Sequence, residues 1–460
     1  RVLKHPRGKV LGGSTAINGM VCIRGQAADY DAWRDAGLAG WGWADVLPHF
    51  KSIETHVLGA SAYHGDSGGW QVDSARMWWP MLDAVRAAAV QAGIATTEDF
   101  NLGDNEGVGP IHVNQHKGQR WSAADGFLKP VRHRPNLRVE TGALVDRVVF
   151  NEGRASGVVW HNDGVQRSAE ASREVVLTAG AFGSPQILMR SGIGPADHLG
   201  TQGIGVVADR PGVGANLQDH FQIGLRYQLE HAKTLNPLMN SLAGKAGMAL
   251  RYAMTRRGPL TMAPCQLGIF ARSDASVDRA DLGYNVLAFS REQLAASFDP
   301  FPGMTMIVYD LRPTSRGHVR LSSRHASAAP EILANYLATE RDRRVAANAI
   351  RVTRRIVRQS AMAQFSPRER WAGADVPDSD EAGLVEAAAA CGTTIFHPVG
   401  TARMGLASDP MTVVDGELRV MGVSGLRVID ASVMPSLISG NTATPTLMIA
   451  EKGAAMMLDE

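Results

Sequence analysis

The stretch LRVIDASVMPSLISGNTATPT, Leu426–Thr446, decides the reading of the fold. A short apolar run ends in an acid and a small residue, Asp430 and Ala431, and a loop then leads into a helix start. Strand, loop and helix in that order are the half-step of a parallel α/β sheet. An acid at the strand end can hold a ribose-type hydroxyl, and the helix N-terminus favours negative charge. Ordinary helix capping leaves the same pattern. NTATPTLMIAEKGAAMML (441–458) predicts that helix, capped by Asn441 or Thr442, with Pro445 in its first turn.

Outward from this stretch the same unit recurs. REVVLTAG (173–180) is an apolar run ending in glycine, and AFGSPQILMRSG after it has helical spacing. NLRVETGALVDRVVF (136–150) predicts two short strands. PGMTMIVYDL and GHVRLSS (302–323) predict antiparallel strands around a turn, hence a second sheet of another kind. In 340–358, Val345, Ala349, Val352 and Ile356 share one helix face, and the arginines predict a solvated opposite face. The order α/β, antiparallel β with helix, then α/β again predicts two domains, the first completed by the C-terminus.

The 460 residues are 45% hydrophobic and 20% charged, with net charge +2. That balance argues against a nucleic-acid binder or an acidic solvating tail. Cys22, Cys265 and Cys391 form no C-x-x-C pair, so neither a disulfide framework nor structural zinc is expected and a reducing compartment is the default. No run approaches the ~18 apolar residues of a spanning helix. The chain starts with Arg and without a signal-peptide core, which predicts a processed chain or a fragment.

Four further motifs carry or imitate chemistry. HPRGKVLGGSTAINGM (5–20) has a glycine pair that lets backbone N–H groups approach a phosphate, although a plain turn would look alike. FHPVGTARMG (396–405) holds His397 beside Pro398, a placement suited to a general base, since an unperturbed histidine pKa is about 6.5. GDSGG (65–69) matches a serine-protease nucleophile motif, but too little chain precedes Ser67 for that fold. His112 and His116 have i, i+4 spacing, yet Val113 stands where a zinc helix needs Glu, so no metal site is expected.

In sequence order, PRGKVLGGSTAINGMVCIRG, GAFGSPQILMRSGIG, PGVGANLQDH, SRGHVRLSS, HPVGTARMG and LRVIDASVMPSLISGNTATPT resemble the signatures of the glucose–methanol–choline (GMC) flavin oxidoreductases, in particular the choline- and alcohol-dehydrogenase branch. The resemblance covers nearly the whole chain. It implies a Rossmann-like FAD-binding domain, α/β, joined to an α+β substrate domain built on an antiparallel sheet flanked by helices. The implied division is 1–55, 133–222 and 396–460 for FAD, and 56–132 and 223–395 for substrate.

By position, the resemblance implies that Gly12, Ser14, Asn18, Gly19, Met20 and Val21 surround the pyrophosphate and isoalloxazine. Val145 corresponds to a valine whose backbone contacts adenine. Asp430 and Ala431 correspond to the acid–small pair by the ribityl and pyrophosphate, with Thr442 and Thr446 at the adjoining helix start. His397 corresponds to the catalytic histidine and Asn441 to its partner. Ile17 occupies the place where some relatives attach flavin through His, so FAD is expected to be non-covalent.

The implied activity is FAD-dependent oxidation of a primary alcohol, choline-like, aliphatic or aromatic, to the aldehyde, with His397 as base. Electrons would pass to a quinone, a dye-like acceptor or O2. The rivals are an O2-using oxidase and a cofactor-deficient, non-catalytic fragment. The family's first βαβ unit, with G-x-G-x-x-G, has no counterpart after Arg1, so an N-terminally truncated chain with weakened FAD binding is expected. The expected location is the cytoplasm, with peripheral contact to an inner membrane as an option. A quaternary ammonium calls for an aromatic cage or a carboxylate, and aromatics are 6% of this chain.

Overall fold

Val175–Leu177 and Leu426–Val428 are short apolar strands, and in the computed structural model they pair in parallel, Val175 opposite Leu426 and Leu177 opposite Val428. The model describes residues 1–292 and 296–459. Some 250 residues separate the two strands, yet both end at one place. One feeds the helix Gly180–Arg190 and the other the turn at Asp430. Gly180 enters its helix at φ +78°, a conformation costly for other residues. The helix buries Ala181, Phe182, Ile187, Leu188 and Met189 and stops at Ser191-Gly192.

Beside this pair stands a three-stranded antiparallel sheet, Leu144–Asn151, Arg154–Asn162 and Val165–Glu170. Residues 136–143 are irregular, so the expected two strands in 136–150 reduce to one.

The second body is a seven-stranded sheet. Its order is Arg368–Glu369, Phe221–Gln228, Gly303–Asp310, Leu282–Leu287, Leu267–Ala271 and Gly107–Pro110, with Thr393–Thr394 also pairing on Phe221–Gln228. The named pairings are antiparallel. The neighbouring strands Leu267–Ala271 and Leu282–Leu287 are buried at every position. His318–Arg320 pairs with Glu331–Leu333, not with Gly303–Asp310 as the spacing suggested, because an extended turn carries it off the sheet.

The helix Glu340–Val357 packs against this sheet with Val345, Ala349, Val352 and Ile356 buried, as the periodicity predicted. Thr339 caps it, and Glu340 and Asp342 complement its dipole. Its basic face is not simply solvated. Arg354 is 2% exposed and bonded to Glu369 and Asp378; Arg341 pairs with Asp310 and Arg351 with Glu381.

Two large hydrophobic cores result among the described residues. One lies under the large sheet and includes Met20, Val21 and Ile23; the other gathers Tyr30, Trp33, Phe50, Leu188, Val428 and Ile449. Residues 1–55 therefore contribute to both. Among the described residues no helix is long and apolar enough to cross a membrane.

Candidate active site

Sheet register assembles the site. Gln222 faces Tyr309 across the antiparallel pair Phe221–Gln228/Gly303–Asp310, which brings His220 opposite Leu311. On the other edge Phe221 faces Thr394, and Ile395 N–H donates to the His220 carbonyl at 3.1 Å. Gln218 and Val399 exchange backbone bonds just beyond. His397 is thereby held against Asp219 and His220.

Asp219 accepts from the His397 backbone N–H at 2.8 Å, from the Tyr336 hydroxyl at 2.5 Å and from Thr394 Oγ1. His397 Nδ1 lies 3.0 Å from His220 Nδ1, and His220 Nε2 lies 3.0 Å from the Leu311 carbonyl. On its other edge, His397 Nε2 is 3.0 Å from Asn441 Nδ2. Asn441 Oδ1 is buried without a partner. Arg7 donates to the Phe396 carbonyl at 3.0 Å. Phe396 has φ +69° and Met20 φ +62°, two non-glycine residues in the left-handed region. Such backbone strain concentrates at functional sites.

Burial pushes the His397 pKa well below 6.5, helped by His220 and the nearby Arg7 charge. The imidazole is therefore neutral at ordinary pH. Burial also lowers His220, to about 4, and raises Asp219 despite its three donors.

The expected cofactor residues fall into connected segments. Gly12 turns at φ +87°, Ser14 Oγ accepts from Gly8 N–H, and Asn18 Oδ1 accepts from Met20 N–H and Arg120. Gly19 faces Pro264. Val21 bridges to Val113, and Leu447 of the C-terminal helix Ala443–Leu458 packs on the small cluster of Cys22, Trp70 and Val72. Thr442 is the N-cap residue of that helix without a side-chain capping bond, and Thr446 Oγ1 donates to its carbonyl. A Cβ on Gly440 would strike Ile23, so the Asn441 turn and the opening segment are in contact.

Asp430 is fully engaged by the protein. Its two oxygens accept four bonds from the protein, from Gly180 N–H, Ser184 Oγ, Ser432 N–H and Ser432 Oγ. It ties the two strand-end turns together, while Ala431 O accepts from Gly400 N–H. The Val145 carbonyl accepts from Arg190 at the far end of the Gly180 helix, about 15 Å away by helical rise.

These features suit an elongated dinucleotide. The glycine turn at Gly180 leaves the backbone open, since a Cβ there would meet nothing within 4 Å, whereas at Gly12 a Cβ would press on Ser122 and Ala124. A helix N-terminus and an unpaired amide oxygen stand beside His397. Ile17 is exposed in the opening loop and offers no nucleophile for attachment.

Residues 1–222 and 313–450 match the GMC oxidoreductase family. The chain belongs to that family. It is 40% identical to the mitochondrial choline dehydrogenase of Mus musculus over 99% of this chain and 76% of the relative. It is 38% identical to an oxygen-dependent choline dehydrogenase of Brucella melitensis, over 100% and 83%. Pyridoxine 4-oxidase from Mesorbium loti superposes with TM-score 0.88 at 32% identity, covering 100% of this chain and 86% of that one. A fungal aryl-alcohol oxidase gives 0.87 at 25%, over 98% and 86%. This GMC member is thus an FAD-dependent oxidoreductase of alcohol-type substrates. The chain spans 76% to 86% of the length of these relatives.

Sequence reasoning quoted the motif that holds Asp219 and His220 but gave neither a role. Two adjacent titratable residues at the start of a buried strand were the available signal. Arg7 and Tyr336 carried none. Ser67 is exposed in its loop, and His112 is buried against His56. Among the described residues no His, Cys, Asp or Glu group is arranged to hold a metal.

Proposed function

We propose that this GMC enzyme oxidises a primary alcohol to the aldehyde, with His397 taking the hydroxyl proton. The observation that carries this reading is the neutral, buried His397 with Nε2 turned to Asn441. An alcohol entering this edge displaces the Asn441 amide from Nε2, its O–H donating to Nε2 while its oxygen accepts from Asn441 Nδ2. FAD, when bound, supplies the two-electron acceptor for the hydride. Gly12, Ser14, Asn18, Gly19, Met20 and Val21 would hold it on one side. Asp430, Ala431, Asn441, Thr442 and Thr446 would do so at the C-terminal helix, with Val145 at the distal end. The domain division 1–55, 133–222 and 396–460 against 56–132 and 223–395 is the working layout.

Choline is the first substrate to try, on the strength of the relatives. A quinone or dye is the proposed acceptor, against O2 as rival; oxygen uptake separates them. His397→Ala should slow anaerobic flavin reduction by about 10²-fold or more in stopped flow. A near-normal rate would overturn the assignment of the base.

We also place a membrane-surface contact on the helix Leu242–Thr255. Leu242, Leu250 and Met254 are exposed on it, and Met248 is its one buried residue. No acid occurs from 231 to 273, whereas Lys233, Lys245, Arg251, Arg256, Arg257 and Arg272 do. Exposed apolar residues with basic flanks suit an anionic lipid surface. Cosedimentation with phosphatidylserine vesicles, but not phosphatidylcholine ones, and its loss in Leu250→Glu/Met254→Glu, is the expected result. No binding to either vesicle would reject it.

A further inference from the structure

We propose that His220 is a positioning residue that sets the reactive tautomer of His397. It does so by offering a bare Nδ1 as the acceptor for the Nδ1–H of His397. The inference rests on His397 acting as the base and adds how that base is prepared.

The argument is one of proton counting along a chain of four groups. A peptide carbonyl has no proton to give, so the 3.0 Å contact with Leu311 O requires N–H at His220 Nε2. His220 is fully buried, with Leu311 O and His397 Nδ1 each 3.0 Å from a ring nitrogen, the Ile438 main chain also near enough to favour its protonated form, and the Tyr309 ring alongside. No carboxylate touches its ring to support a charge, so it carries one ring proton. Its Nδ1 is then a lone pair.

The Nδ1–Nδ1 contact is 3.0 Å, short enough to require a hydrogen between the two nitrogens. That hydrogen belongs to His397. Neutral His397 has only one ring proton, so its Nε2 carries the lone pair. The amide of Asn441 completes the series, its Nδ2–H donating to that lone pair at 3.0 Å. The direction of each bond in the series therefore follows from a neutral His220 with its proton on Nε2, toward the Leu311 carbonyl. Asp219, next in sequence, holds the His397 backbone N–H at 2.8 Å. The dipeptide Asp219-His220 thus grips the base at backbone and ring together.

Without His220 the ring is free to place its proton on Nε2, where it cannot accept from an alcohol. In a comparable case, loss of the group that selects a catalytic histidine tautomer lowers turnover about 10⁴-fold. The alternative role for His220 is packing beside Tyr309, which predicts a stability change and no tautomer change.

Two variants separate these roles. His220→Gln keeps a donor that reaches the Leu311 carbonyl but has no acceptor at the Nδ1 position. His220→Asn puts an amide oxygen near that position. In ¹⁵N-histidine-labelled protein without flavin, the His397 signals are assigned by subtraction of His397→Ala. The wild type should show Nδ1–H with bare Nε2, and His220→Gln should shift the population toward Nε2–H. In the FAD-loaded enzyme, His220→Gln should lower limiting flavin reduction about 10²-fold or more with less than threefold change in substrate affinity. His220→Asn should recover at least about tenfold of that loss by restoring the acceptor.

An Nε2–H wild-type tautomer would overturn the inference, and this measurement needs no variant of His220 to fold. So would a normal reduction rate in His220→Gln while His397→Ala is inactive. A normal rate in His397→Ala instead would overturn the underlying assignment of the base.

Discussion

His64→Leu tests the buried charge network beneath the opening segment. His64 bridges two carboxylates, with Nδ1 2.7 Å from Glu54 Oε2 and Nε2 2.6 Å from Asp99 Oδ2. Arg24 joins Glu54 at 2.7 Å, and all four groups are about nine-tenths buried or more. Burial alone pushes the His64 pKa down, but the two carboxylates outweigh it and raise it. Burial alone raises Asp99, and His64 with the Asn101 N–H brings it down to about 2.

Leucine at 64 leaves Glu54 its arginine but leaves Asp99 with the Asn101 N–H alone at that carboxylate. Breaking one side of a buried pair costs about 3–5 kcal/mol. For 460 residues the unfolding entropy is about 1 kcal/mol per kelvin, so the apparent Tm should fall by about 3–5 °C in calorimetry. The pH response checks the cause. Asp99 has a depressed folded pKa, so its contribution is present above pH 3.8 and is lost as pH falls toward about 2. His64 has a raised pKa, so its share is present below 6.5 and is lost as pH rises through its folded value. Both dependences should flatten in the variant.

Asn101 also bonds Arg24 N–H and the Cys22 carbonyl, so the network anchors the stretch after Met20-Val21. FAD retention on desalting should fall as well. A His64→Leu/Asp99→Leu double variant should regain most of the loss, because a buried pair replaced by apolar groups is often neutral. A single variant within about 1 °C of wild type, with an unchanged acid limb, would refute the reasoning.

Limiting flavin reduction should stay flat as pH falls through 6.5 and drop only at more acid pH, because the lowered His397 pKa preserves the neutral base; a midpoint at or above 6.5 in stopped flow would contradict this. Gly180→Ala should cost about 1–2 kcal/mol from its +78° φ alone, since its Cβ would meet nothing within 4 Å. A melting shift of about 1–2 °C is expected, and a gain in Tm would disprove the strain. Asp430→Asn replaces one of two oxygens that each accept two bonds, and should weaken FAD retention and lower stability by about 2–4 kcal/mol; an unchanged FAD off-rate would remove Asp430 from the site.

Much was legible along the chain because its information is local. The apolar face Val345, Ala349, Val352, Ile356 needs only helical period, and Leu426–Val428 followed by Asp430 needs only a strand end. Apart from the irregular stretch 136–143, the failures were of long-range pairing. His318–Arg320 read as the partner of Gly303–Asp310, but hydropathy does not say which strand pairs with which. The buried ion pairs of Arg354 were equally unreadable, since arginine in sequence looks solvated.

By itself the sequence determined the family, most of the element types and the histidine and asparagine that meet at the site. Their spacing in ordered motifs is a covalent property of the chain. Only tertiary structure decided what state His397 is in. A proton's position depends on which nitrogen faces which acceptor, and that follows from sheet register bringing His220 between Leu311 and His397. Likewise Asp430 is an acid in sequence but four times bonded in space, because strands 250 residues apart end at one turn.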